Sequence, residues 1–189
     1  MPKLKILTYP APALRKKCSP VEEIDDDLIQ LLDDMADTMY EAPGIGLAAP
    51  QVDSTKRVIV VDIQPRERAK ESTEELEILL PPDRSELIEL VNPEIVFSDG
   101  EIIGEEGCLS IPGFVSDVKR KYEVTVEGYN RDGELVEIQC EDLLARVFQH
   151  EIDHLDGILF IDRLGRLKRE LLKKKIEKVL GKEEKHAVL

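Results

Sequence analysis

The sequence is short of cysteine and histidine, with three of each, and it has no apolar stretch approaching the ~20 residues that cross a bilayer. Cys18, Cys108 and Cys140 are too few, and odd in number, for a disulfide framework. They read as reduced thiols, so any conspicuous one is a candidate ligand or nucleophile. The N-terminus, Met1-Pro2-Lys3-Leu4-Lys5-Ile6, lacks the apolar segment of a secretory signal. No membrane partner is expected, and a cytoplasmic location is. Positive charge is also scarce: 26 Lys/Arg stand against 40 Asp/Glu, a net charge of −14. That balance disfavours general nucleic-acid binding, which needs a basic face, and no sequence-specific nucleic-acid partner is expected. Internal repeats and low-complexity tracts are missing as well.

What is present suits one globular domain. The 189 residues are 42% hydrophobic and 35% charged, enough for one core and too few for two full-sized ones. The charge is unevenly spread: from Arg163 onward ten Lys/Arg face four Asp/Glu, a surplus of +6, while the preceding 162 residues carry −20. The tail is a different electrostatic object from the body.

Periodicity outlines the elements. Residues 1–20, punctuated by Pro10, Pro12 and Pro20, predict an extended arm that wraps the body. Ile24, Leu28, Leu31, Leu32, Met35 and Met39 predict an amphipathic helix ending by Pro43-Gly44, its methionines serving as core filler. Arg57 to Ile63 reads as a buried strand, and Leu87 to Phe97 as another with a break at Pro93. The acidic, proline-bearing segment from Gln64 to Glu86 reads as a solvated surface excursion with a helical turn or two around Glu71 to Leu80. Val124 to Tyr129 and Glu134 to Cys140 alternate around Asn130-Arg131-Asp132-Gly133 and predict a hairpin. Leu143, Leu144, Val147, Phe148 and Leu155 then switch to helical spacing. A last helix is expected over about 164–180, with Leu167, Leu171, Ile176 and Val179 as its apolar stripe. The expected architecture is a single α+β domain, residues 1–189, with antiparallel or mixed β-sheets around the helix that carries His150 and His154.

Three segments carry chemistry. His150-Glu151-Ile152-Asp153-His154 puts two imidazoles one helical turn apart on one face, close enough to share a metal ion, with Glu151 adjacent to reach a metal-bound water. The third histidine, His186, lies in the tail. Two histidines leave a tetrahedral ion wanting a further protein ligand, and Cys108, within Glu106-Gly107-Cys108-Leu109-Ser110, is the best supplier; a buried structural thiol is the alternative. Cys18 and Cys140 are read as structural. Gly44-Ile45-Gly46-Leu47-Ala48-Ala49-Pro50-Gln51 is a run of small and apolar residues that lets a substrate backbone come close. Its one polar side chain, Gln51, suits an oxyanion donor or, equally, a side chain satisfying turn backbone.

In order, Gly44 to Gln51, Glu106 to Ser110 and Gln149 to Gly157 (QHEIDHLDG) resemble the three signature motifs of the peptide deformylase family. The likeness runs from Ile6-Leu7-Thr8-Tyr9-Pro10 to the final helix; the 64–86 excursion departs from the shorter members. The resemblance implies that Cys108, His150 and His154 bind one divalent metal, natively Fe(II), with zinc, nickel or cobalt able to take its place. It further implies that metal-bound water attacks with Glu151 as general base and acid, while Gln51 and the Leu109 amide hold the oxyanion. The implied reaction removes the formyl group from the formyl-methionine of nascent polypeptides and releases formate. Gly44 to Gly46 would bound a narrow cleft, with Ile45, Leu143 and Val147 in the wall of the methionine pocket and Arg146 near its rim. The resemblance also suggests that the basic C-terminal helix docks on the ribosome. A zinc peptidase built on the same helix is the rival reading, against which stands the upstream cysteine: peptidases with this motif take a downstream Glu or His. A non-catalytic metal protein is a second rival, but it would need neither Glu151 nor Gln51.

Overall fold

The structure, a computed structural model, describes residues 4–42, 44–64 and 84–186. Asp25 starts the first helix, α1 (Asp26–Glu41), by accepting from the Leu28 amide at 2.8 Å, and Asp26 and Asp27 complement the positive end of the helix dipole. Leu28, Leu32, Met35 and Met39 are fully buried along one face, so the methionines are core filler. Next come β1 (Gly46–Ala48), a 3-10 turn at Ala49–Val52 and β2 (Val58–Val61). After the segment 65–83, β3 (Ile88–Asp99), β4 (Ile102–Gly107), β5 (Val115–Arg120), β6 (Glu123–Tyr129) and β7 (Leu135–Glu141) lead into α2 (Asp142–Leu155). A 3-10 turn at Phe160–Arg163 precedes the last helix, α3 (Arg166–His186).

Five strands form one antiparallel sheet in the order β1-β2-β3-β6-β7, and β4 and β5 form a separate antiparallel hairpin. Among the described residues the one parallel pairing is an isolated bridge between Ser19 and Lys56. β2 shows how the layers join. Its four β-branched residues are buried on both faces, Val58 and Val60 in the α1 core and Ile59 and Val61 in the α2 core. α2 thus sits against the main sheet, with Phe148, Ile152 and Leu155 in the apolar layer. The α+β fold with a central helix is as expected, and its named sheets are antiparallel throughout.

The N-terminal arm wraps the body by backbone hydrogen bonds: the Leu7 amide donates to Gln51 O at 2.7 Å, Tyr9 to Ser110 O at 2.8 Å and Cys18 to Leu155 O at 2.8 Å. Pro12–Arg15 winds into a 3-10 turn within it. The predicted hairpin is β6–β7, with Asn130 Oδ1 accepting from the amides of Asp132 and Glu134.

The structure corrects two expectations, at Pro93 and in the final helix, and adds two features, a second hairpin and a strand within Gly44 to Gln51. Pro93 does not break its strand: β3 runs through it, because Asn92 (φ 53°) and Pro93 fall in a register shift between Val91 and Glu94, where no ladder donor is needed. The hairpin β4–β5 was not anticipated, since its inward-facing residues include Glu106, Ser116 and Arg120, which erase the apolar alternation. The final helix starts at Arg166 and reaches His186, and of its proposed stripe only Ile176 is buried; Leu167 is 75% exposed, and Leu171 and Val179 are also exposed. Leu172 and the pre-helical Leu164 pack beside Ile176 instead. Finally, Gly44 to Gln51 is more than a small-residue run, since it holds edge strand β1. The helical turns expected at Glu71 to Leu80 lie outside the described residues.

Candidate metal centre and cleft

On α2 the i, i+4 spacing brings His150 and His154 together with their Nε2 atoms 3.2 Å apart. Cys108 arrives from the other sheet, where β4 ends and the chain turns, the Ile111 amide donating to Cys108 O at 2.9 Å. Its Sγ lies 3.2 Å from His154 Nε2, and the donor atoms of Cys108, His150 and His154 are all within 4.8 Å of one another. One sulfur and two imidazole nitrogens converge on a common point. The set fits a borderline divalent ion.

The surroundings are charged and buried. His150 Nδ1 lies 2.9 Å from Glu106 Oε2. Glu106 accepts from Arg120 Nε at 2.8 Å and Nη2 at 3.0 Å, and from Arg146 Nη1 at 3.0 Å. Burial pushes the Glu106 carboxyl up, but the hydrogen bonds from His150 and Arg120 outweigh it and bring the pKa to about 2. Burial disfavours the charged form of both imidazoles; contacts to Cys108 and Glu106 nonetheless raise His150 well above its ordinary value, whereas burial and the neighbouring His150 hold His154 well below. Glu151, 4% exposed, is raised to about 7, chiefly by burial. Among the described residues its Oε2 is buried without a hydrogen-bond partner.

Gln51 divides its amide between two tasks. Its oxygen accepts from the Ala48 amide at 2.8 Å, which satisfies the turn, while Nε2 lies 3.1 Å from Ser110 Oγ and 3.5 Å from Cys108 Sγ. The glycines are set by close approach. A Cβ on Gly46 would lie 2.5 Å from Glu151 Oε1, and one on Gly44 would lie 2.6 Å from Leu109 Cδ1.

Beside the ligand cluster opens a cleft of about 560 Å³. Gly44, Ile45 and Gly46 line it along with Leu143, Arg146 and Val147 from α2, and Gln51, Cys108, Leu109, His150 and Glu151 also border it. The edge strand β1 therefore meets the cleft. Arg146 is not at the rim: it is 7% exposed, with Nη1 donating to Glu106, Val118 O and Gly104 O. Sequence reasoning missed the loop Ile111 to Val115, which supplies further apolar lining, and the Glu106–Arg120–Asp153 network behind His150. The sequence signal for the network was weak: single charged residues on separate strands become partners only when β4 and β5 pair. Cys18 and Cys140 stand apart from the site, both pushed up to about 11 by burial as unreactive thiols are.

The family profile described as polypeptide deformylase matches residues 3–170. The peptide deformylase of Thermodesulfovibrio yellowstonii is 52% identical over 174 residues, covering 92% of this chain and 96% of that protein. The crystal structure of a peptide deformylase from Legionella pneumophila superposes with a TM-score of 0.80 at 44% identity, covering 97% of this chain and 98% of that one. A peptide deformylase from Synechococcus elongatus, crystallised in complex with actinonin, gives a TM-score of 0.77 at 39% identity over 93% of this chain and 89% of that one.

Proposed function

The chain belongs to the polypeptide deformylase family, and from that premise we propose that it removes the formyl group from the N-terminal formyl-methionine of nascent proteins, releasing formate. The carrying observation is the convergence of Cys108 Sγ and two histidine Nε2 atoms beside Glu151 in a cleft edged by glycines. Cys108, His150 and His154 would hold one divalent metal. Their S/N/N set suits Fe(II), zinc, nickel or cobalt, and the family resemblance favours Fe(II). When bound, the ion supplies Lewis acidity, which polarises a carbonyl and lowers the pKa of water.

This chain's own residues do the rest. Glu151 takes the proton of the attacking water as it adds to the formyl carbon, then returns it to the leaving amine. Burial, which raises this carboxyl, makes it a better proton acceptor than an exposed glutamate. Charge gathers on the formyl oxygen, where Gln51 Nε2 and the Leu109 amide donate. Edge strand β1 offers its backbone to the substrate, which would bind as an added strand. Without side chains at Gly44 and Gly46 the peptide can come close, and Ile45, Leu143 and Val147 would receive the methionine. Arg146, buried and tied to Glu106, completes that wall.

The exposed surface of α3, with Lys174, Lys175, Lys178 and the uncovered Leu167 and Leu171, is the part we assign to ribosome docking, in the cytoplasm where nascent chains emerge. Among the described residues no helix is long and apolar enough to cross a membrane.

A formate-release assay on formyl-methionyl peptides, run beside unformylated peptides and with metal analysis, tests the reading. Glu151→Ala should keep its metal and lose about 10²- to 10⁴-fold in turnover. Cleavage of internal peptide bonds without formate release would favour a peptidase instead.

A further inference from the structure

Arg120 neither lines the cleft nor belongs to the ligand trio, yet it is almost wholly buried, its side chain 3% exposed. It grips two carboxylates at once. Nε and Nη2 form a fork on the two oxygens of Glu106 at 2.8 and 3.0 Å, and Nη1 donates to Asp153 Oδ2 at 2.5 Å. Neutralising charge does not require this arrangement. Arg146 already donates to Glu106 at 3.0 Å, and Arg163 Nε donates to Asp153 at 2.9 Å. What Arg120 adds is orientation: a two-point fork fixes the plane of the Glu106 carboxylate, and Glu106 Oε2 is the atom that faces His150 Nδ1 at 2.9 Å. Asp153, on α2 between the two histidines, ties the guanidinium to the helix that carries them.

We infer that Arg120 is a positioning residue, which clamps Glu106 against His150 and so aims His150 Nε2 at the point shared with Cys108 and His154. The inference rests on the metal-centre reading above. A histidine ligand held by a carboxylate through its other nitrogen keeps one tautomer and one ring orientation, and loss of such support typically costs about 10- to 100-fold in metal affinity or activity.

The test uses the full chain loaded with Co(II) or Zn²⁺, following metal release to a chelator and the visible spectrum of the cobalt form. Arg120→Met leaves Glu106 with Arg146 and Asp153 with Arg163, so neither buried carboxylate is stranded. It should release metal about 10- to 100-fold faster and alter the cobalt spectrum. Arg120→Lys keeps the charge but not the fork, and should also release metal faster than wild type. In a Glu106→Gln background the Arg120→Met change should add less than about threefold, because its effect runs through Glu106.

Unchanged release and spectrum in Arg120→Met would overturn the inference, as would an equal factor in both backgrounds. If Arg120→Met does not fold, Arg120→Lys decides alone: wild-type release refutes the clamp and faster release supports it. A wild-type chain that fails to retain one equivalent of metal would overturn the metal centre itself, and the clamp with it.

Discussion

Replacing Gly46 by alanine puts the proposed catalytic geometry under direct strain. The new Cβ would stand 2.5 Å from Glu151 Oε1 and 2.9 Å from both its Cδ and Cγ, about 1 Å inside ordinary carbon contact. Neither side yields cheaply. Gly46 is paired with Val61 in the sheet, and Glu151 sits buried on α2 between two candidate ligands. If the carboxylate moves by that ångström, the loss should be about 10²-fold in kcat, or roughly 2.7 kcal/mol of barrier, with metal content unchanged. Gly44→Ala is the comparison, read in kcat because Gly44 also borders the proposed peptide site and a methyl there can raise KM. Its Cβ would meet Leu109 Cδ1 at 2.6 Å, the tip of a side chain that can rotate, so the loss should stay under about tenfold. Turnover of formyl-methionyl peptide and metal content, measured on both variants, check this. Near-wild-type kcat in metal-replete Gly46→Ala, or equal losses in the two, would refute the reasoning.

Two further outcomes follow from charge. In metal-free protein, Glu151 has a folded pKa of about 7 against an ordinary 4.5, so the native state holds a proton that the unfolded chain has lost between those values. Stability therefore falls as pH rises from 4.5 to 7, by at most about 3 kcal/mol, and the penalty is complete above 7. Glu151→Gln, which removes the charge from an oxygen that has no hydrogen-bond partner, should stabilise metal-free protein at pH 8 by up to that amount and scarcely at all near pH 4.5, as read by urea unfolding; equal stabilisation at both would contradict the burial account. Reversing Lys173, Lys174 and Lys175 to Glu should leave turnover of short formyl-peptides intact and abolish low-salt co-sedimentation with ribosomes, and unchanged co-sedimentation would return α3 to a structural role.

The parts of this fold that were legible from sequence are those in which one physical signal dominates. α1 and α2 announce themselves by apolar spacing, the β6–β7 hairpin by alternation around Asn130 to Gly133, and the ligand pair by two of the chain's three histidines falling four apart. β4–β5 stayed hidden because Glu106, Ser116 and Arg120 face inward beside Val118 and break the apolar alternation. α3 misled because leucines at 167 and 171 satisfy a helical stripe, yet the helix is anchored by Leu172 and Ile176. Periodicity finds a face; it does not say which of two apolar edges meets the body. Likewise, Glu106 was noticed only as a neighbour of Cys108, since its link to Arg120 and His150 joins residues 14 and 44 positions away.

α2 departs from the rule that a buried helix is apolar all round. From Ala145 to Leu155 every residue is buried, and Arg146, Gln149, His150, Glu151, Asp153 and His154 are among them. Such a helix holds only if its polar atoms find partners, and most do: Gln149 bonds Lys121 through both ends of its amide, Asp153 meets two arginines and His150 meets Glu106. The exceptions are informative. Five buried side-chain atoms among the described residues lack a partner, and three belong to this helix, on Arg146, Glu151 and His154. Glu151 Oε2 is the one on a carboxylate bordering the cleft with a pKa near neutrality. A hydrogen bond there would make the helix more stable and the carboxyl a weaker base. Of the three unpartnered atoms on this helix, Glu151 Oε2 is the one that the proposed mechanism would use to exchange a proton.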